Sequence, residues 1–138
     1  MNKFHFLLIA LFGLLASCGS DAEREAAKPV VPEIFEFGFL LNDYHVVRDT
    51  VVRGDSFGGI LEKYGIYYPQ IYNINNVAKK AYNFRKIRSG RPYTVLCKKD
   101  SLHTPEFLIY QPSAIDYVTV KLTDSLWAKQ DQKEEVEA

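Results

Sequence analysis

The stretch Val52-Arg53-Gly54-Asp55-Ser56-Phe57 restricts this chain more than any other. The alternating run from Asp49 to Arg53 reads as a strand, and Gly54 breaks it. Asp55 or Ser56 then offers a side-chain oxygen to cap a helix, satisfying amide groups that would otherwise lack partners. Phe57, Ile60, Leu61 and Tyr64 recur at i, i+3, i+4 and i+7, forming one apolar face, and Gly65 stops the helix. Strand, turn, capped helix and stop so close together commit the chain to a small α+β unit.

The flanking residues extend that unit in both directions. Pro69 opens a second helix carrying Ile71, Ile74, Val77, Ala78 and Ala81, and it confines Tyr68 to an extended conformation. The link from Phe84 to Arg91 alternates charge and turns at Ser89-Gly90; Pro92 then starts a strand through Tyr93, Val95 and Cys97. Two β-rich runs, Glu106 to Tyr110 and Asp116 to Leu122, are joined by Gln111-Pro112-Ser113-Ala114 and read as a β-hairpin. Upstream, the first strand is expected from Tyr44. Phe35, Phe37 and Phe39 alternate with Ile34, Glu36 and Gly38, so residues 33–41 form either an edge strand or an arm packed on the unit. From Ala128 the chain is charged and is expected to be a disordered tail.

The N-terminus carries an address rather than a fold. Met1-Asn2-Lys3 is a short positive start, and the apolar run Phe4 to Leu15 is too short to span a membrane. It ends in Leu15-Ala16-Ser17-Cys18, a lipobox pattern, which predicts a signal peptide over 1–17 and a lipid on Cys18. Residues 18–33 are small, charged and closed by proline, the composition of a flexible tether. The expected location is the cell envelope, lipid-anchored, on the periplasmic face or the surface of the outer membrane. Several acyl chains would hold it there firmly. The expected organisation is therefore signal peptide 1–17, tether 18–33, module with N-terminal arm 34–98, β-hairpin extension 99–127 and disordered tail 128–138.

Charge and cysteine content exclude several functions. The 138 residues carry 17 basic and 17 acidic side chains, and removing residues 1–17 takes away only Lys3. No basic excess argues for nucleic acid. With Cys18 lipidated, Cys97 has no partner for an intramolecular disulfide, and its place in an alternating run makes it a small buried hydrophobe.

The order strand, helix, helix, strand resembles the LysM module. Thr50-Val51-Val52-Arg53-Gly54-Asp55-Ser56-Phe57 resembles the family's opening, and Tyr64-Gly65-Ile66 the end of its first helix. Ile74-Asn75-Asn76 stands where LysM sequences place Leu-Asn-Asn, and Ile87 to Val95 resembles the closing turn and last strand. The resemblance implies a glycan site formed by Gly54, Asp55, Ser56 and Phe57 with Ile74, Asn75 and Asn76. Two features depart from the pattern. Gly58-Gly59 costs a helix about 1 kcal/mol per residue relative to Ala, and the link from Val77 to Lys86 is longer than usual. With the arm and hairpin, they resemble an OapA-like variant that precedes the catalytic domain of lipoprotein or secreted LytM-type (lysostaphin-like) zinc endopeptidases of Bacteroidota. This chain ends about where that domain would begin, as a stand-alone product or a fragment would.

Those peptidases hold zinc with His-x-x-x-Asp and a later His-x-His. His45-Val46-Val47-Arg48-Asp49 has the first spacing, but in a strand its ends lie more than about 10 Å apart. The other histidine after residue 17, His103, stands in no His-x-His. The sequence therefore predicts no catalytic residue, no metal and no cofactor. Two functions remain: binding peptidoglycan glycan strands, or docking on a peptidase domain or another envelope protein without sugar affinity. In either case the membrane is reached through the lipid on Cys18.

Overall fold

The computed structural model describes residues 29–134. The signal peptide, Cys18, most of the tether and residues 135–138 lie outside the described residues. From Glu33 the chain forms one compact unit. Its elements are β1 (Phe35–Glu36), β2 (Phe39–Leu40), β3 (Tyr44–Thr50), α1 (Phe57–Lys63), α2 (Gln70–Ala78), β4 (Pro92–Lys98), β5 (Pro105–Tyr110), β6 (Asp116–Lys121) and β7 (Ala128–Gln132). The class is α+β, as the sequence predicts.

Strands β3 and β4 pair antiparallel, from Tyr44 opposite Lys98 to Thr50 opposite Pro92, and the two helices lie between them in sequence. Beyond Thr50 the pairing persists through two bonds: Val51 N–H donates to Arg91 O at 2.9 Å, and Gly90 N–H to Val51 O at 2.7 Å. The local signals act as expected at α1. Ser56 Oγ accepts from Gly59 N–H at 3.0 Å, so Ser56, and not Asp55, is the cap. At the other end Gly65 N–H donates to Glu62 O and Ile66 N–H to Leu61 O. This bonding pattern requires the left-handed φ of +80° that Gly65 adopts without a Cβ penalty. Helix α2 begins one residue after Pro69 and ends at Ala78, short of Ala81.

The sheet continues past β4 in the order β3-β4-β5-β6-β7. Alternation along each strand divides its side chains between two faces. Tyr93, Val95 and Cys97 of β4, Leu108 and Tyr110 of β5, and Val118 and Val120 of β6 meet the helices. There they bury Phe57, Ile60, Leu61, Ile74 and Ala78. Full burial of one such side chain is worth about 1.5–3 kcal/mol. The opposite face presents Leu96, Phe107 and Ile109 to Phe37 and Leu41, with Phe39, Tyr44, Val46 and Tyr117 around them.

Residues 33–41 form an arm with its own hairpin, covering that second face. Phe37 and Gly38 turn between β1 and β2 with φ of 55° and 80°, the left-handed pair of a type I′ turn. Phe37 packs edge-on against Tyr117, and Phe39 lies 4.6 Å from Phe107. The arm thus closes on strands of the extension as well as on the module, and the boundary expected at 98/99 falls inside one continuous sheet.

The expected disordered tail is corrected in its first part. Residues 128–132 form β7, paired antiparallel with β6 from Ala128 opposite Val120 to Gln132 opposite Asp116. Its Lys, Gln and Asp residues have no apolar alternation to mark a strand. Backbone bonds to the open edge of β6 order it, and its charges suit an outer edge.

Candidate functional site

A groove of about 400 Å³ opens between the start of α1, the outer side of α2 and the link after α2. Its lining comes from three segments. Ser56, Phe57 and Gly58 come from the first, Tyr72, Asn75, Asn76 and Lys79 from the second, and Asn83, Phe84 and Arg85 from the third. The floor is apolar: the rings of Phe57 and Phe84 stack at 4.1 Å and 21°, both buried. The rim is polar, with Ser56, Tyr72, Asn75, Lys79, Asn83 and Arg85 exposed.

Local chemistry fixes each wall. The Ser56 cap sets the first turn of α1, and the glycines behind it keep that turn thin. A Cβ on Gly59 would meet Ser56 Oγ at 3.1 Å, so glycine there preserves the capping bond. Across the groove, Asn83 Oδ1 accepts from Arg85 N–H at 3.2 Å and shapes the short 3-10 turn Phe84–Lys86. Phe84 is held from behind by Tyr82 and Tyr110. Tyr110 Oη in turn accepts from Arg88 N–H at 3.1 Å, tying the link to β5.

Of the residues named by the family resemblance, the groove gathers Ser56, Phe57, Asn75 and Asn76. It leaves out Gly54, Asp55 and Ile74. Asp55 is engaged elsewhere: Oδ2 accepts from Val52 N–H at 3.0 Å and Oδ1 pairs with Lys63 Nζ at 3.1 Å. The Val52 amide first, and the Lys63 ammonium second, hold its carboxyl below the ordinary carboxylate range. Ile74 is 1% exposed and belongs to the core. Sequence reasoning passed over Tyr72, Lys79, Asn83, Phe84 and Arg85. The signal for the last three was the unusual length of the link, which supplies one groove wall and half of the floor.

The residues with zinc-like spacing, His45 and Asp49, each contact other groups. His45 and Asp49 stand opposite Cys97 and Tyr93 in the β3–β4 register, four positions apart on one strand. Asp49 Oδ1 accepts from Thr50 N–H at 2.7 Å, and Oδ2 accepts from Tyr93 Oη–H at 3.3 Å. The ring of His45 stacks on His103 at 4.1 Å. Among the described residues no three His, Cys, Asp or Glu side chains come together as ligands. Cys97 is 3% exposed, and burial pushes its thiol pKa up, the reverse of what a nucleophile needs.

Fold and groove together define a small α+β module of the strand-helix-helix-strand type, with a sheet extension. The family model described as LysM domain matches residues 50–81, from the end of β3 to just beyond α2. No curated protein matches the chain. Among solved structures, a zinc-containing peptidase from Vibrio cholerae is similar, with a TM-score of 0.50 at 20% identity. The match covers 64% of this chain and 27% of that one, so the chain spans about a quarter of the peptidase chain's length. At that identity the likeness concerns the fold. The chain thus carries a LysM-like module within an architecture also found in a peptidase chain.

Proposed function

We propose that this protein binds the glycan strands of peptidoglycan through the groove between α1 and α2, and so serves as a cell-wall targeting module. The observation that carries the reading is the meeting of Ser56 and Phe57 with Asn75 and Asn76 in one groove, inside the stretch that matches LysM. An N-acetylated sugar presents an amide that donates and accepts, hydroxyls, and an apolar methyl. Asparagine amides match the first two, and the stacked Phe57–Phe84 floor suits the methyl. Binding would position the chain or a peptidase domain on its substrate; no bond is broken by the groove itself. Sedimentation with purified sacculi tests this. The chain from Gly19 onward pellets with them, and Asn75→Ala with Asn76→Ala weakens pelleting about tenfold, as loss of one or two hydrogen bonds would. A chain that stays in the supernatant while a LysM control pellets ends the reading.

That second outcome would favour docking on an envelope protein or a peptidase domain. One observation supports it: Tyr67 and Tyr68 are 62% and 79% exposed, and Tyr68 packs edge-on with the groove residue Tyr72. Exposed tyrosines are a common currency of protein interfaces.

We also propose that Cys18 carries the lipid that holds the protein in the envelope, on the strength of Leu15-Ala16-Ser17-Cys18. Metabolic labelling with a fatty acid marks the wild-type chain, and Cys18→Ala abolishes the label. Label retained by that variant contradicts the assignment.

A further inference from the structure

We infer that the groove selects a glycan bearing a carboxylate over a neutral one, and that Lys79 and Arg85 are the specificity-determining residues. The inference rests on the glycan reading above and names the class of sugar that the same site prefers. Its basis is the charge of the lining. Lys79 follows the last residue of α2, Arg85 sits in the 3-10 turn Phe84–Lys86 that lines the same groove, and both are exposed. Among the described residues no Asp or Glu lines the groove. The carboxylate nearest in sequence to the first wall, Asp55, is already paired with Lys63. The four salt bridges among the described residues involve neither Lys79 nor Arg85. Two cations of unlike reach therefore line one opening, beside amides suited to an acetamido group. An ammonium is a compact point charge and a guanidinium a planar fork, and together they match a carboxylate.

Two sources put a carboxylate on or beside an N-acetylated sugar: the lactyl-peptide arm of peptidoglycan, and a uronic acid next to N-acetylglucosamine in an acidic polysaccharide. Titration calorimetry on the chain from Gly19 onward separates them with four probes. These are a neutral N-acetylglucosamine oligomer, a muramyl-peptide fragment, that fragment methyl-esterified, and an oligomer alternating N-acetylglucosamine with glucuronate. The muramyl fragment or the glucuronate oligomer binds roughly threefold to tenfold tighter than the neutral oligomer at low salt. The preference shrinks as ionic strength rises. Lys79→Gln with Arg85→Gln brings the ratio of charged to neutral affinity to about one, and esterification does the same on the unaltered protein. Whichever charged probe binds more tightly identifies the source. Equal affinity for all four probes overturns the inference and leaves the glycan reading standing. Binding to none of them overturns both.

Discussion

The two faces of the sheet are covered in different ways, and the difference locates function. On the helix face, α1 and α2 bury a continuous aliphatic and aromatic core, then leave a groove whose amides and cations have no acidic neighbour in the lining among the described residues. On the other face the arm closes with aromatic rings, Phe37 on Tyr117 and Phe39 on Tyr44 and Phe107, and Trp127 packs beside them on Phe107. A depression of about 580 Å³ beside that arm is larger than the groove, but it contains both signs of charge. There Lys129 pairs with Asp131 at 3.1 Å, and Lys133 lies over the ring of Phe37. One face satisfies itself; the other retains unspent polar chemistry. Volume alone would choose the wrong face.

Core truncation breaks the comparison most strongly. Leu61 of α1 is fully buried, and Leu61→Ala is expected to cost about 2–5 kcal/mol in urea unfolding. Phe39, half-buried at the arm, should cost less when cut to Ala, about 1–2 kcal/mol, and should leave sacculus binding intact. Equal costs for the two would mean that the arm is as much part of the core as the helices.

The cap comes next. Ser56→Ala removes the acceptor for Gly59 N–H and is expected to cost about 1 kcal/mol, with Ser56→Asp recovering most of it. Full stability in the Ala variant would show that the first turn of α1 is held by packing alone.

The neighbouring glycines should then part company. A Cβ on Gly58 would meet Ile71 Cγ2 at 3.5 Å, an ordinary contact, so Gly58→Ala gains up to about 1 kcal/mol. It also narrows the groove and weakens glycan binding. Gly59→Ala gains less, because its Cβ presses on the capping hydroxyl at 3.1 Å. Thermal unfolding of the pair reads the difference directly, and equal gains would remove the role assigned to the cap.

The smallest effect is on acid stability. The folded-state pKa of Asp55 is lowered, so its contribution is complete above the unfolded carboxylate value of about 4 and is lost as pH falls through the folded value. Asp55→Asn should therefore flatten the stability profile below pH about 4 and change little of its shape near neutrality. A variant whose acid limb matches the wild type would show that the Val52 and Lys63 contacts carry no pH dependence.

Much of this was legible in the sequence because local rules and tertiary packing agree there. Ser56, Gly65, the apolar stripe of α1 and the alternation of Tyr93, Val95 and Cys97 each act through near neighbours, and each stands where pattern reading puts it. The groove's third wall was hidden because Asn83 to Arg85 follow no period; only the fold brings Phe84 onto Phe57. Strand β7 was hidden for a related reason. Its order comes from the edge of β6, and Lys129, Gln130 and Asp131 say nothing of that edge. Ile74 and Asp55 show the converse: residues in a family's binding pattern can be occupied by the core and by a turn.

The central claim is that the α1–α2 groove, and not the depression beside the arm, holds an N-acetylated glycan. Amide NMR shifts during titration with an N-acetylglucosamine oligomer test it residue by residue. The account predicts that Gly58, Asn75, Asn76, Asn83 and Arg85 move together and saturate while Phe37, Tyr117 and Lys133 stay fixed. Shifts confined to the arm side, or none at saturating sugar, would contradict it.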